Sequence, residues 1–549
     1  MGRRKGNINH RRLIVFKYIG TLMFLALVGR LYFLQVYDNE DLRLASLKQR
    51  STEISLNSSR GTIFDRNLIP LTNNEITRHI VVLRDLIIND NRLLEEIKSN
   101  SLLSYKEFDE LLKTKDRLLK IPIVKEMNFK ENNIFSANII DRYSKANLLS
   151  HVIGYINKAE NRGESGIEKV YDEFLNKSDK ESLFVEYDKS RSLILGSSYY
   201  VDSPTSHLDP SGVQLTIDYQ LQKVSEKILD ENKTKGSVIV ADVESGEILA
   251  LTSRPNFNQN NMEEYLNGSD MNLYNKAIQV SYPPGSIFKI IVLLAALEKD
   301  ESYINHNFYC KGYEEIGDLK VKCNNIYGHG KISLKDGFSK SCNSVFIQIG
   351  KDIGAEKIIE MATKLGLGEK VNIGLIEETS GNLPIGEDLL GPVIGNISIG
   401  QGKIETTPLQ ITNMLLTIAN NGIEKDMTIV KGITSKDGNM IKPYNKEDDT
   451  RIISKEFSEI TQEFLREVAL TGTAKSLDLD HIGGAAGKTG SAEAFFKGKE
   501  TVHGWFTGYY PADNPKYVIT VLVEQSDSGS KSATPIFEKI CKEIYELEN

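Results

Sequence analysis

The chain has 549 residues, of which 26% are charged and 40% are hydrophobic, and its formal net charge is −8. Because a single hydrophobic core stops growing at about 250–300 residues, this length predicts two or more domains, and the composition excludes a largely disordered chain. The first twelve residues carry five Lys/Arg and no acid, so the rest of the chain carries −13. That negative balance argues against nucleic acid as a partner of the main body.

Residues 13–36 form an apolar stretch that only Lys17 and Arg30 interrupt. The stretch is long enough to span a bilayer if these two charges extend toward opposite surfaces. A buried helix of a soluble domain and a cleaved signal peptide are the alternatives, but no small-residue cleavage site follows. The basic residues 1–12 predict a cytoplasmic tail, so we expect a single-pass anchor in the cell membrane and an extracytoplasmic body.

The body divides by pattern near residue 230. We predict a pedestal domain of the dimerisation type over residues 37–230, in which residues 83–150 have helical spacing and suggest scaffold. Over residues 231–549, Gly-bounded strands alternate with apolar helices, which predicts a second domain. It opens with a hairpin pattern at residues 236–257, where two apolar strands flank a Glu-Ser-Gly turn.

A serine and a lysine open the most apolar helix predicted in this second domain. Pro283-Pro284-Gly285 cannot continue a helix from upstream, so Ser286 should lie at a helix start, with Lys289 one turn later on the same face. The helix dipole and the apolar run behind the pair would favour a nucleophilic serine and a neutral, basic lysine. The pair alone is weak evidence, because Ser528 and Lys531 repeat the spacing in a polar loop.

Two further motifs make the pattern specific. Ser341-Cys342-Asn343 lies in a predicted turn between a short helix and an apolar run, and Lys488-Thr489-Gly490 lies in a Gly/Ala-rich strand before a predicted hairpin. Ser-x-x-Lys, Ser-Asp-Asn and Lys-Thr-Gly are the signature set of class A β-lactamases and penicillin-binding proteins, and the three motifs of this chain occur in that order. Cys342 departs from the signature, which has Asp at that position; a buried inert thiol and a modifiable thiol are both open.

The chain resembles the class B penicillin-binding proteins, which are membrane-anchored D,D-transpeptidases that cross-link peptidoglycan. The resemblance covers nearly the whole chain except residues 83–150. It implies an α/β (α+β) fold, with a penicillin-binding/β-lactamase-like transpeptidase domain whose antiparallel sheet is flanked by helices, behind an elongated pedestal and one transmembrane helix. Besides the three motifs, it rests on the segments RLYFLQV, RGTIFDRN, GESGIEKVYDEFL, LTIDYQLQ, SGEILALTSRPNFNQN and SIGQGKIETTPLQ.

The resemblance implies a serine mechanism of acyl transfer. Ser286 would attack the carbonyl between the two terminal D-alanines of a stem pentapeptide, and Lys289 would take its proton. Ser341 would relay a proton toward the leaving amine. Asn343 would hold a backbone amide of the substrate and help to orient Lys289.

The third motif would bind the substrate's C-terminal end. The resemblance implies that Lys488 supplies a positive field, that Thr489 binds the terminal carboxylate, and that Gly490 lets the substrate strand lie against the sheet edge. The N–H groups of Ser286 and Ser491 would form the oxyanion hole. This chemistry needs no cofactor, and β-lactam antibiotics would inhibit it covalently.

A candidate metal site precedes the second motif. A hairpin turn at residues 316–318 would bring Cys310 and Cys323 together, and His329 would add a third soft ligand for a structural zinc ion. A Cys310–Cys323 disulfide and free thiols are the alternatives. The fourth ligand is open among Asp318, Glu314, Glu315 and Cys342.

The resemblance also implies partners: peptidoglycan stem peptides, β-lactams, a glycan polymerase of the SEDS family and other cell-wall machinery. A membrane-anchored β-lactamase-like hydrolase, a β-lactam-binding sensor and a scaffold without essential activity are the competing hypotheses. The long segment before the second domain argues against a simple hydrolase. A single span with a short cytoplasmic tail leaves no room for the intracellular effector that a sensor would need. The sequence leaves open a role in elongation, division or sporulation.

Overall fold

The structure is a computed structural model. It describes residues 10–39, 42, 51–55, 60–114, 116, 118–125, 127, 134–158, 160–176, 182–187, 193–194, 210–266, 268, 271–496 and 498–549. The cytoplasmic tail predicted at residues 1–12 lies mostly outside this described part.

The elements are numbered here in chain order. The helices are α1 (His10–Tyr32), α2 (Arg84–Asn89), α3 (Asn91–Asn100), α4 (Tyr105–Lys113), α5 (Ser150–Ile153), α6 (Gly166–Val170), α7 (Asp172–Leu175), α8 (Tyr219–Glu231), α9 (Glu263–Leu266), α10 (Lys289–Lys299), α11 (Leu334–Ser339), α12 (Asn343–Ile353), α13 (Ala355–Lys364), α14 (Ile394–Ile397), α15 (Pro408–Ala419), α16 (Lys455–Leu470) and α17 (Gly529–Glu548). The strands are β1 (Ser51–Ser55), β2 (Ile63–Phe64), β3 (Glu75–Leu83), β4 (Leu118–Pro122), β5 (Ile134–Asp141), β6 (Ile156–Asn157), β7 (Arg162–Gly163), β8 (Ser182–Tyr187), β9 (Leu193–Ile194), β10 (Gly212–Leu215), β11 (Gly236–Asp242), β12 (Ile248–Arg254), β13 (Asn307–Cys310), β14 (Tyr313–Ile316), β15 (Leu319–Lys322), β16 (Gly330–Ser333), β17 (Ile423–Glu424), β18 (Val430–Thr434), β19 (Met440–Pro443), β20 (Thr450–Arg451), β21 (Ala486–Phe496), β22 (Lys499–Tyr510) and β23 (Tyr517–Ser526).

The chain forms two compact units that do not follow chain order. The second unit takes in two segments from the predicted pedestal, so spatial compactness and chain order divide the protein differently. The boundary near residue 230 therefore stays a prediction. The first unit comprises Met1–Ser59, Ile76–Asp141 and Asp179–Pro204, and the second comprises Arg60–Glu75, Arg142–Ser178 and Thr205–Asn549.

The predicted anchor is helical. Helix α1 continues into a π-helical turn at Phe33–Tyr37. They contain a 26-residue segment, Arg12–Tyr37, whose most apolar 18-residue window has a mean hydropathy of 1.7, which is long and apolar enough to cross a membrane. Leucine, isoleucine, phenylalanine and methionine side chains are exposed all along it, as expected of a helix whose solvent is lipid.

The first unit has its own small core. A sheet of order β4-β3-β5 packs against helices α2–α4, and Ile80, Val82 and Phe108 are fully buried there. Helical spacing over residues 83–150 is therefore right only for α2–α4. β4 and β5 are strands because their apolar residues pair with or flank β3, a tertiary contact that local spacing does not report.

The second unit is built on an antiparallel five-stranded sheet of order β12-β11-β23-β22-β21. The predicted hairpin at residues 236–257 is confirmed as β11 and β12, with Gly246 at φ +73° in the turn. All residues of α15 and the run Lys289–Leu297 of α10 are buried, so these two helices form the centre of the domain. β21 is the last strand in the sheet order, which leaves one of its edges without a strand neighbour among the described residues.

A buried ion network joins the early segments of the second unit. Glu168 is fully buried and accepts hydrogen bonds from Arg60 Nε (2.9 Å), Arg142 Nε (2.7 Å) and Tyr143 Oη (3.0 Å). Both arginines are also nearly fully buried. Removing one partner from a buried pair of this kind is strongly destabilising, because it leaves an uncompensated buried charge.

We expect Glu168→Gln to lower the free energy of unfolding by about 3–5 kcal/mol, because it leaves the buried Arg142 guanidinium without a carboxylate and leaves Arg60 with Asp172 alone. Urea denaturation of the detergent-solubilised full chain measures this. Glu160→Gln is the matched control: Glu160 pairs with Arg162 at the exposed surface, where a pair contributes about 0–1 kcal/mol. Equal effects of the two substitutions would contradict the assignment.

Candidate active site

The nucleophile candidate lies on a tight turn that leads into α10. Gly285–Phe288 forms a 3-10 turn and α10 begins at Lys289, so the predicted helix start at Ser286 is confirmed apart from the tighter first turn. Gly285 has φ +55° and its N–H donates to Gly400 O at 3.0 Å. A Cβ on Gly285 would come within 2.7 Å of Ser491 O, so only glycine lets this turn approach the sheet edge.

Lys289 is fully buried, and its amine binds only the second motif in the described contacts. Nζ donates to Ser341 O (2.8 Å), Ser341 Oγ (3.2 Å) and Asn343 Oδ1 (2.7 Å). Burial lowers the pKa of Lys289 to about 8, because the charged form loses its hydration. The amine is therefore held within reach of neutrality on a rigid helix.

The second motif is a strained turn. Ser341 is 7% exposed and has φ +54°, a left-handed conformation that costs a non-glycine residue about 1 kcal/mol or more. Hydrogen bonds from Ser341 N to Phe338 O and from Cys342 N to Gly337 O hold the turn. Asn343 begins α12 and donates from Nδ2 to Lys322 O (3.0 Å), so the motif is tied both to α11 and to β15.

The third motif lies on β21. Lys488 is fully buried, and burial, followed by the nearby charge of Lys289, lowers its pKa. Its Nζ donates to Thr489 O at 3.2 Å. Thr489 Oγ1 lies 2.6 Å from Thr473 Oγ1. Thr473 follows α16 and its N–H donates to Ser339 O, so it links the second motif's helix to the third motif's strand.

Gly490 has a packing role that the sequence did not indicate. A Cβ there would meet Pro284 O at 2.9 Å and Trp505 Cβ at 3.0 Å, so the missing side chain lets the turn of Ser286 sit on β21. Its predicted role in admitting the substrate strand stays a prediction. Trp505 is fully buried and donates from Nε1 to Pro283 O (3.1 Å), so it packs against the turn that carries Ser286.

One cleft of about 770 Å³ is lined by residues of the first two motifs and by Ser491, which directly follows the third. Ser286, Asn343 and Ser491 line it, while Lys289 and Lys488 lie buried behind it. The competing pair is not built this way, because Lys531 is exposed on α17 and the Ser528 hydroxyl contacts Ser530. That pair therefore lacks the buried, desolvated lysine that accompanies Ser286.

The metal-site candidates form one cluster. Cys310, Cys323, His329 and Cys342 each offer a ligand atom, and these atoms all lie within 4.8 Å of one another. The predicted hairpin turn is confirmed between β14 and β15, with Gly317 at φ +58°. All four cysteines of the chain are free thiols, so the Cys310–Cys323 disulfide is not formed.

Cys342 is the fourth member of this cluster. Its Sγ lies 3.7 Å from Cys323 Sγ, and Cys323 Sγ lies 3.7 Å from His329 Nδ1. The hydrogen bond from Cys342 lowers the pKa of Cys323. Glu314, another candidate ligand, instead contacts Ser344, Gln348 and Lys351.

Sequence reasoning missed Thr473 and Gly400. Both matter only through atoms distant in the chain, namely Thr489 Oγ1 and the backbone of Gly285. A Gly-Thr pair after the amphipathic helix α16 was the only local signal for Thr473. That pattern is too common to mark a site.

Comparison with known proteins agrees with this geometry. Residues 236–542 match the family described as penicillin binding protein transpeptidase domain. The chain is 28% identical to stage V sporulation protein D of Bacillus subtilis, over 98% of this chain and 86% of that protein. It is 25% identical to the peptidoglycan D,D-transpeptidase MrdA of Haemophilus influenzae, over 97% of this chain and 91% of that protein.

Solved structures show the same fold. Penicillin-binding protein PBP2 of Helicobacter pylori superimposes with a TM-score of 0.68 at 24% identity, covering 90% of this chain and 99% of that one. A chain from a peptidoglycan synthase complex superimposes with a TM-score of 0.72 at 23% identity, covering 98% and 99%. The fold class inferred from the sequence is thus confirmed. With its transpeptidase domain and its full-length relatives, the chain belongs to the class B penicillin-binding proteins.

Proposed function

We propose that the protein is a serine-type D,D-transpeptidase that cross-links peptidoglycan stem peptides. The observation that carries this proposal is the buried amine of Lys289, one helical turn from Ser286, with its three contacts on the second motif. A transpeptidase name on relatives that align with almost the whole chain supports it. No comparison favours a hydrolase or a sensor.

In the first step Ser286 Oγ bonds to the carbonyl carbon of the penultimate D-alanine. A neutral Lys289 amine keeps two N–H groups, which suffice for Ser341 O and Asn343 Oδ1, and its lone pair is then free to accept the proton of Ser286. The proton next passes by way of Ser341 Oγ to the leaving amine as the C–N bond breaks. The terminal D-alanine departs and an ester remains on Ser286.

The substrate is oriented by its terminal carboxylate. Thr489 Oγ1 would bind this carboxylate, and the buried Lys488 would provide a positive field beneath it. The N–H groups of Ser286 and Ser491 would hold the carbonyl oxygen as it gains charge, a contribution of about 3–4 kcal/mol per donor in comparable sites. An amine of a neighbouring stem peptide then attacks the ester, forms the new amide and releases Ser286.

β-Lactams would acylate the same serine. Their amide carbonyl takes the place of the D-alanyl carbonyl and their carboxylate takes the place of the substrate's carboxylate. No leaving group departs, because the amide bond that breaks lies within the β-lactam ring and the amine stays covalently attached to the acyl group. Hydrolysis of this ester would be slow, which separates the proposal from that of a β-lactamase-like hydrolase.

We also propose the orientation of the anchor and a polymerase partner. The first twelve residues contain five Lys/Arg and no Asp or Glu. This excess of positive charge favours a cytoplasmic N-terminus and an extracytoplasmic catalytic domain. Its membership of the class B penicillin-binding proteins supports a polymerase of the SEDS family as the partner. The superposition on a chain from a peptidoglycan synthase complex supports such a partnership, and a PBP2 of Helicobacter pylori has been solved with MreC.

The Cys310, Cys323, His329 and Cys342 cluster is proposed as a structural zinc site. Tetrahedral zinc with Zn–S bonds of about 2.3 Å places two sulfurs about 3.8 Å apart, and the Cys323–Cys342 distance is 3.7 Å. Three thiols and one imidazole are a donor set typical of structural zinc. With no ligand position left open, the ion would brace the β14–β15 hairpin against the second motif and would take no part in acyl transfer.

The serine assignment is tested by incubation with a labelled penicillin. We expect one covalent adduct, on the Ser286 peptide, and its loss in Ser286→Ala, since no other serine in the described part of the chain has a buried lysine one helical turn away. Mass spectrometry of the digested protein locates the adduct. Ser528→Ala is the matched control and should keep the full adduct, whereas rapid turnover of the penicillin would favour the hydrolase.

Thr473 is expected to position Thr489. Thr473→Val removes its hydroxyl and should slow acylation of Ser286 about three- to tenfold, because a lost hydrogen bond costs about 0.5–1.5 kcal/mol. The loss should appear in the acylation rate constant, measured by stopped-flow, while the melting temperature stays near that of the unmodified protein. Thr471→Val, two residues earlier and exposed, is the control; an equal effect there would contradict the role.

The zinc proposal predicts about one zinc per chain after purification without chelators. Cys323→Ser should lose most of the metal and lower the melting temperature, because the bound ion stabilises the folded state. Elemental analysis and calorimetry measure both. Cys541→Ser, at a buried thiol outside the cluster, should keep the metal. A metal content near zero in the unmodified protein would refute the site.

A further inference from the structure

Tyr282 is the last residue before the Pro-Pro-Gly turn that leads to Ser286, and contacts with three separate segments hold it. Its backbone N–H donates to Thr406 O and its carbonyl accepts from the N–H of Thr406, both at 2.9 Å. Its hydroxyl donates to Glu524 Oε1 at 2.8 Å. Its ring meets the ring of Trp505 edge-on, with 6.2 Å between the ring centres. Because Tyr282 is also buried, the start of the turn has a fixed position.

Glu524 lies at an irregular point of β23. In the register of β22 with β23, two residues, Glu524 and Gln525, lie opposite His503 alone. Gln525 has φ +52°, a left-handed conformation that is unfavourable for a residue with a side chain. A bulge of this kind changes the direction in which a side chain points, and bulges are over-represented next to active sites. The strand thus departs from regular pairing at the residue that binds the Tyr282 hydroxyl.

The carboxylate of Glu524 binds two partners at once. Oε2 accepts from the ammonium group of Lys276, and Oε1 accepts from Tyr282. Lys276 is buried and the Glu524 side chain is only 12% exposed, so each charge depends on the other for its neutralisation. Lys276 therefore holds the carboxylate, and the carboxylate holds the phenol. None of the proposed acyl-transfer steps uses these three side chains.

The turn that Tyr282 begins lies against the strand of the third motif. A Cβ on Gly285 would come within 2.7 Å of Ser491 O, so the turn and β21 touch at this point. The proposed oxyanion hole consists of the N–H groups of Ser286 and Ser491, one on each side of the contact. A shift of the turn therefore changes the separation of the two donors. Misplacing a catalytic group by about 1 Å costs a rate up to about a hundredfold.

We propose that Tyr282 and Glu524 are positioning residues that set the separation of the two oxyanion-hole donors. The Tyr282 hydroxyl, held by Glu524 and Lys276, fixes the residue before the turn, and the close contact at Gly285 transmits this position to Ser286. Neither side chain lines the active-site cleft, so both act through the turn. This inference rests on the proposed transpeptidase function, because it takes the oxyanion hole from acyl transfer at Ser286.

Tyr282→Phe removes the hydroxyl alone and tests this role. We expect the rate constant for acylation of Ser286 by penicillin to fall about tenfold, because the oxyanion develops only in this step. The dissociation constant of the preceding noncovalent complex should change by less than about twofold, since that complex carries no oxyanion. Stopped-flow measurements over a range of penicillin concentrations give both constants for the detergent-solubilised full chain.

A boronic acid gives a second readout. Its boron atom bonds reversibly to Ser286 Oγ and becomes tetrahedral, which places a negatively charged boron centre and its oxygen at the oxyanion hole. Because this adduct resembles the transition state, Tyr282→Phe should weaken its affinity about as much as it slows acylation. A residue that only supports the fold would leave the affinity unchanged in protein that remains folded.

Tyr510→Phe is the matched control. Tyr510 is buried at the end of β22, and its hydroxyl donates to Ile482 O at 2.7 Å. The control therefore also loses one buried hydrogen bond of a tyrosine, but at a residue without contact to the turn of Ser286. It should keep the acylation rate constant and the boronic acid affinity of the unmodified protein.

Glu524→Gln tests whether the two positioning residues act together. Glutamine has the same length, but it offers a single oxygen and cannot accept from both Tyr282 and Lys276. We expect Glu524→Gln to slow acylation about tenfold as well. The double variant with Tyr282→Phe should lose less than the product of the two single losses, because both substitutions break the same contact.

Each outcome decides the proposal. Unchanged acylation in Tyr282→Phe, an equal loss in Tyr510→Phe, or a loss confined to the noncovalent dissociation constant would overturn the positioning role. Multiplying losses in the double variant would also overturn it, and the Tyr282→Phe result alone decides if Glu524→Gln does not fold. Acylation of the unmodified protein is scored separately. If Ser286 is not acylated, the proposed function and this inference both fail; if Tyr282→Phe is acylated equally fast, the positioning role alone is wrong.

Discussion

The burial of one amine is the constraint on which the active site depends. Lys289 is the first residue of α10, a helix that is buried from Lys289 to Leu297, and its amine donates to three oxygen atoms of a single turn. Burial without those acceptors would be costly, and the acceptors without burial would hold an ordinary ammonium group. Together they keep the amine oriented and near neutrality, and they explain why Ser341 is held in a left-handed conformation.

Close backbone approaches bring the motifs together. Gly285, Gly400 and Gly490 occupy points where a single Cβ would collide with a carbonyl or side chain of another element. The turn of Ser286 can therefore lie directly on β21, with Trp505 behind it. Such contacts leave no room for adjustment, so the distance between the nucleophile and the third motif is set by the packing of the core and not by a flexible loop.

The second motif connects the catalytic groups with the thiol cluster and the cleft wall. Cys342 stands between Ser341 and Asn343, and Asn343 is bonded to the carbonyl of Lys322 on β15. The β14–β15 hairpin is therefore hydrogen-bonded to the same turn that supplies the acceptors of the Lys289 amine. An ion in the proposed zinc site would stiffen this hairpin and, through the hydrogen bond from Asn343 to Lys322 O, the turn that binds the Lys289 amine.

The sequence alone determined the anchor helix, the opening hairpin, the three motifs with their order and the family, because helix length, turn residues and motif spacing are local properties of a chain. Only the tertiary structure decided that Lys289 contacts the second motif, that Cys342 joins the thiol cluster, that Thr473 meets Thr489, and that β4 and β5 are strands. It also separated Ser286 from Ser528, whose lysine has the same spacing. The physical reason is that burial sets the protonation of an amine, and that contacts between distant residues decide whether a segment is a strand or a helix. Neither can be read from the local sequence pattern.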